Sequence, residues 1–256
     1  MEQDKIIFLD TSIQIDRNTE ADRRKNIIHQ RLCNKQAMTS MLVFREFKER
    51  IIHKCIALLE IVMICDNRAD LETMISQQFT DASILLKIMG QVDRETGSYE
   101  IFDKELIIET IKGYIEGGME KRFMRNLVCI SDETKCELAP EKVRCDNACY
   151  RLRVSCNRQK VKCNLPKFVA TKQGALNSFC ALANRVQQPE TEKICRVYEE
   201  IQDNYDLAKG QRNCNILSDV IIALEAPVNS IIYTTDKHYE VICPLLGKSI
   251  FREDYA

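Results

Sequence analysis

Long apolar runs are missing from this chain. No stretch of about 18 uncharged apolar residues occurs, so a membrane-spanning helix is not expected. The opening residues Met1-Glu2-Gln3-Asp4 carry no basic region of the kind that starts a signal peptide, and the cytoplasm is the expected compartment. Neither Gly-x-x-x-x-Gly-Lys-Ser/Thr nor Gly-x-Gly-x-x-Gly occurs, which argues against a nucleotide-binding loop. Histidine is scarce. His29 and His53 read as ordinary helix residues, His238 as a surface or capping residue, and no His lies between 54 and 237. That scarcity leaves no local frame for a Ser–His–Asp or Cys–His nucleophile, and no imidazole for a mixed metal site in the middle of the chain. Internal repeats and low-complexity linkers are also absent, so the middle is expected to pack.

What is present suits a globular protein. With 256 residues, 45% hydrophobic and 29% charged, the chain can bury a substantial core. Four acidic residues stand in informative frames. Asp10 closes the apolar run Lys5-Ile6-Ile7-Phe8-Leu9, and Asp236 follows Ile231-Ile232-Tyr233-Thr234-Thr235. Glu46 lies in Thr39-Ser40-Met41-Leu42-Val43-Phe44-Arg45-Glu46-Phe47, and Asp219 opens Ser218-Asp219-Val220-Ile221-Ile222-Ala223. Asp residues directly after short apolar runs read as strand C-terminal ends, where open α/β sheets place their sites. Carboxylates meeting there would repel one another unless a hard divalent cation, Mg²⁺ or Mn²⁺, neutralised them. The residue types therefore point to a metal-dependent enzyme acting on phosphate esters, and allow RNA and DNA equally.

Each acid also has a plainer reading. Asp10 can cap a following helix or turn, and Glu46 can be a first-turn charge favouring the helix dipole. Asp219 can be an N-cap or first-turn acid, and Asp236 a turn residue. Asp16, Asp203 and Asp206 compete for the same pocket, whereas Glu225 is expected to face solvent.

In their order and residue types the four frames together resemble the PIN-domain (PilT N-terminus-like) nucleases. The resemblance covers roughly residues 4–65 and 200–250. It implies a three-layer α/β/α fold and endonuclease activity, with single-stranded or structured RNA as the substrate. It further implies that Asp10, Glu46, Asp219 and Asp236 hold one or two Mg²⁺ or Mn²⁺ ions. Thr11, Ser40, Thr234 and Thr235 would donate hydrogen bonds to those carboxylates or to phosphate. Many members pair, so a homodimer is a further expectation. A toxin-like or defence nuclease held off by a regulatory protein partner is another reading, though toxins of this family are compact and this chain is long. From a different class comes the alternative of a catalytically weak scaffold that binds RNA or a partner protein.

The outer segments, 1–92 and 194–256, read as one α/β domain with a mainly parallel sheet, split by an insertion at 93–193 of mixed helical and cysteine-rich character. Strands are expected at 5–10, 37–41 and 230–235. Helices are expected at 19–32, 43–63, 70–90, 103–125, 194–209 and 215–226, and from about 237 to Gly247.

The insertion carries two signals. Between Lys135 and Lys172 ten basic and three acidic residues give +7, against −1 for the whole chain. Such a stretch suits a phosphate backbone, or simply a solvated charged face. Arg151, Arg153, Arg158, Lys160 and Lys162 are the candidate contacts, and Tyr150–Val154 reads as a strand with one basic face. Six of the 13 cysteines, Cys129, Cys136, Cys145, Cys149, Cys156 and Cys163, fall within 35 residues. Such density can hold zinc or an iron–sulfur cluster, but reduced Cys is also a common small buried hydrophobe.

Overall fold

The computed structural model describes residues 6–20, 22–78, 82–98, 101–146, 149–156 and 162–255. The chain opens with β1 (Ile6–Leu9), α1 (Thr11–Thr19), α2 (Asp22–Leu32), β2 (Gln36–Ser40) and α3 (Met41–Phe47). A π-helical turn (Lys48–Ile52) runs into α4 (His53–Ile64), followed by α5 (Arg68–Gln78), α6 (Ala82–Thr96) and α7 (Lys104–Gly113). A second π turn (Tyr114–Gly118) leads to α8 (Met119–Met124), β3 (Leu127–Ser131) and a small hairpin of β4 (Arg144–Asp146) and β5 (Cys149–Arg151). Then come α9 (Leu165–Thr171), α10 (Gln173–Val186), α11 (Pro189–Gln202) and a 3₁₀ turn (Tyr205–Ala208). The chain closes with α12 (Gln211–Glu225), β6 (Ile231–Thr234), α13 (Tyr239–Leu245) and β7 (Ser249–Arg252).

Five strands form one parallel sheet in the order β3-β2-β1-β6-β7. The central strands β1 and β6 read as apolar runs because both of their faces are covered. In β1, Phe8 packs into the larger core with Val43, Phe47, Val220 and Ile232. Its neighbours Ile7 and Leu9 point the other way, into a second core with Ile13, Ile28 and Tyr233. Helices thus lie on both faces of a central parallel sheet, the three-layer α/β/α arrangement. Each fully buried aliphatic or aromatic side chain contributes about 1.5–3 kcal/mol to holding the layers together.

Several elements depart from the sequence reading. Leu127–Ser131 lies inside the stretch assigned to an insertion, yet it is the edge strand of the central sheet, paired with β2. The expected helix over 70–90 is two helices, and that over 194–209 is a helix followed by a 3₁₀ turn. The helix expected at 19–32 is α2, and an unforeseen helix, α1, precedes it, starting at Thr11 directly after Asp10. The long helix after β2 starts at Met41, because Ser40 caps it by accepting from the Val43 N–H at 3.3 Å. Glu46 therefore sits in the last turn of α3, where the dipole reading fails. The Tyr150–Val154 strand shrinks to Cys149–Arg151, paired only with β4.

Connections from β1 run outward to β2 and β3, then return across the sheet to β6 and β7. The β1/β6 boundary is therefore the point where strand order reverses. Open α/β sheets bind ligands in the crevice beyond the strand C-termini at that point.

Candidate active site

The crevice beyond β1 and β6 is lined with acid. Asp10 is the first residue after β1 and caps α1. Asp236 lies two residues past β6, in a turn closed by the His238 N–H donating to its Oδ1 at 2.9 Å. The capping and turn readings of these two residues are thus satisfied as well, and they set the side-chain directions. Glu46 reaches in from α3 and Asp219 from the middle of α12, too far from Gly210 to cap that helix.

Asp10 is buried, at 4% exposure, and four donors converge on it. Its Oδ2 accepts from the Ser12 N–H at 3.3 Å, the Ser12 hydroxyl at 2.9 Å and the Thr234 hydroxyl at 2.8 Å. Its Oδ1 accepts from the Tyr239 hydroxyl at 3.1 Å. A carboxylate oxygen offers two lone pairs, so Oδ1 retains an acceptor position. Thr11 donates to Glu46 Oε2 at 2.5 Å. The Thr235 N–H donates to Ser12 Oγ at 3.0 Å, and the Asp236 N–H to Thr234 Oγ1 at 2.9 Å. This mesh joins the ends of β1 and β6 and fixes the orientation of Asp10.

The four acids share one electrostatic environment. Burial, then the charges of Asp10, Glu46 and Asp236, push the Asp219 carboxyl up to about 7. Burial also raises Glu46, with Asp10 adding to the shift and the Thr11 hydrogen bond opposing it. Arg50 and Arg45 oppose the charge at Glu46, and His238 Nδ1 lies 3.5 Å from Asp236 Oδ1 and 3.7 Å from Asp219 Oδ2. Repulsion of this kind is what a hard divalent cation relieves, and all-oxygen donors fit Mg²⁺ or Mn²⁺. No three His, Cys, Asp or Glu side chains among the described residues form a closed ligand set, so a cation would have to draw the carboxylates inward.

Other expected residues stand elsewhere. Ser40 caps α3, and the acid beside it is Glu225. Glu225 is not solvent-facing: it is 4% exposed, and its Oε1 accepts from the Glu133 N–H at 3.1 Å. Asp16 pairs with Lys87 at 3.6 Å, and Asp206 with Lys209 at 2.9 Å. Asp203 is the C-cap of α11. Of the basic candidates, Arg151 and Lys162 are exposed, while Arg153 is held by Glu141 at 2.8 Å and Glu137 at 3.8 Å. Arg158 and Lys160 lie outside the described residues. Of the six clustered cysteines, Cys136, Cys156 and Cys163 line a common cavity, joined by Cys214 from α12. Cys129, Cys145 and Cys149 are exposed and stand apart from it.

Sequence reasoning missed Ser12 and Tyr239 as partners of Asp10. Ser12 carried a readable signal, since a hydroxyl two residues past a strand-end Asp is placed to bond back to it. Tyr239 carried none. A separate cavity of about 500 Å³, lined by Arg17, Lys25, Lys35, Arg122 and Arg125, was also unforeseen. It includes Ala37 near the start of β2, at the other end of the strands from the acids.

No protein-family model matches the chain, and no curated protein and no solved structure matches it.

Proposed function

We propose that this protein is a metal-dependent nuclease that hydrolyses phosphodiester bonds, with RNA as its substrate. The observation carrying this reading is the convergence of four carboxylates, from four different elements, at the strand-order reversal. The preference for RNA rests on the resemblance to PIN-domain nucleases.

Asp10, Glu46, Asp219 and Asp236 would hold Mg²⁺ or Mn²⁺. Such an ion activates a bound water and stabilises charge on a phosphodiester. The chain's own part is positioning. Ser12, Thr234 and Tyr239 hold Asp10 by hydrogen bonds, leaving a lone pair of Oδ1 toward the cleft. Thr11 does the same for Glu46. His238 is half exposed between Asp219 and Asp236 and would help to orient both.

The alternative, a binding scaffold acting through the basic insertion, draws less support because Arg153 is already engaged by Glu141 and Glu137. The deciding experiment is cleavage of labelled single-stranded RNA, structured RNA and DNA with Mn²⁺, Mg²⁺ or EDTA. Metal-dependent RNA cleavage that disappears in Asp10→Asn and Asp219→Asn is expected. Cleavage surviving in both variants would sink the proposal, and EDTA-tolerant RNA binding without cleavage would favour the scaffold.

A further inference from the structure

The second convergence in the molecule is of sulfur. Cys136 lies in the loop after β3, Cys156 beyond the hairpin, Cys163 just before α9, and Cys214 in the first turn of α12. These four separate segments line one small cavity, closed by Leu42, Leu165 and Ile221. The thiols sense one another: Cys163 interacts with Cys136 and Cys156, and Cys214 with Cys136 and Cys163.

Three features separate this cluster from an ordinary apolar packing of thiols. The first is backbone donors. The Leu165 N–H donates to Cys163 Sγ at 3.4 Å, and the backbone N–H groups of Leu138 and Ala139 favour the thiolate of Cys136 electrostatically. N–H donors on sulfur are the surroundings that metal-bound thiolates require. The second is Arg45, which is 4% exposed and donates from Nη1 to Cys214 Sγ at 3.2 Å. Its Nη2 is bound by Gln211 at 3.0 Å, its Nε has no partner among the described residues, and the nearest carboxylate, Glu49, is 3.6 Å away. A buried guanidinium with so little carboxylate needs negative charge beside it. The third is size. The cavity, about 20 Å³, has room for one atom-sized guest, which suits a single ion and not a four-iron cluster.

We propose that Cys136, Cys156, Cys163 and Cys214 form a tetrathiolate site for one structural zinc ion, with Arg45 neutralising part of its charge. Zinc holds thiolate sulfur at about 2.3 Å in a tetrahedron. The sulfurs ring the cavity more widely than that, since no three form a closed ligand set, so binding contracts the ring. Closing it ties the loop after β3, the hairpin and α9 to the first turn of α12. Loss of the ion loosens all four segments together. The assignment is independent of the acidic site and stands or falls without it.

The test is elemental analysis of the full chain, purified under reducing and anaerobic conditions from zinc-supplemented cells. About one zinc per chain is expected. It should be released by a mercurial and be replaceable by Co²⁺ with the visible spectrum of tetrahedral thiolate coordination. Cys214→Ser and Cys163→Ser should lose the zinc, and Cys145→Ser should keep it. If the ligand variants fail to fold, the Co²⁺ spectrum of the wild-type chain still decides. Wild-type protein that neither contains zinc nor takes up Co²⁺ would overturn the proposal. So would zinc retained in both ligand variants, or stoichiometric iron and sulfide in its place.

Discussion

Glu225 has one partnered oxygen and one without a partner, in a setting with 4% exposure. Burial pushes its carboxyl from 4.5 up to about 7, against the Ser40 hydroxyl and the Glu133 and Thr134 N–H groups. The folded chain therefore binds this proton more tightly than the unfolded chain. Its stabilising contribution is complete below pH 4.5 and is lost as the pH climbs through 7, by up to about 3 kcal/mol. Glu225→Gln keeps the acceptor for Glu133 and removes the charge. Urea unfolding should find the variant close to wild type at pH 4 and more stable by ~1–3 kcal/mol at pH 8. Equal stability at pH 8 would show that Glu225 is solvated. Tyr239 gives a second prediction at this scale. Tyr239→Phe removes one of four donors to Asp10 and leaves the ring in place, so metal-dependent cleavage should fall about tenfold with the fold intact. An unchanged rate would show that Asp10 needs no such support.

At the scale of elements, single polar contacts decide how helices dock. Arg68 of α5 grips Asp93 of α6 in a two-pronged pair, both contacts at 2.7 Å, with Asp93 fully buried. Asp93→Asn removes the buried carboxylate, while Arg68, one-third exposed, keeps Glu72 at 2.8 Å, so the loss in chemical denaturation should be about 1–3 kcal/mol. A loss below 1 kcal/mol would mean that the pair is effectively solvated. The turn from Tyr114 to Gly118 shows what the sequence can and cannot disclose. Gly117-Gly118 reads as a helix break, and the helix is interrupted there: α7 and α8 meet at a kink at Gly117. Gly117 has φ of 122°, and a Cβ on Gly118 would lie 2.6 Å from the Gly113 carbonyl oxygen. Gly117 supplies the left-handed backbone of the kink, and Gly118 the close approach beside it. The inner strands β1 and β6 were legible because they are short apolar runs next to turns and helices. Edge strand β3 was not, since Val128 and Cys129 are exposed and its apolar pattern is weak. The four acids were legible from their frames. Cys214 was not, because its three partners lie more than 50 residues earlier and only the packing of α12 brings them together.

For the molecule as a whole, the acidic cleft costs stability. Without a cation the four carboxylates repel one another, so Asp219→Asn should raise the melting temperature in EDTA by several degrees, on the scale of about 2–4 °C per kcal/mol for a chain of this size. Added Mn²⁺ should raise the wild-type melting temperature and leave the variant's unchanged. An equal Mn²⁺ shift in both proteins would place the ion elsewhere. The hydrogen-bond mesh at the end of β1 has a consequence of another kind. Asp10 is held by Thr234 and Tyr239, 224 and 229 residues further along. Contacts of such sequence separation form late, because a very long loop must close first. On the ribosome, the first acid of the cleft emerges when its partners are not yet synthesised. A growing chain therefore carries no assembled cleft, and its acids come together only when nearly the whole chain has been made.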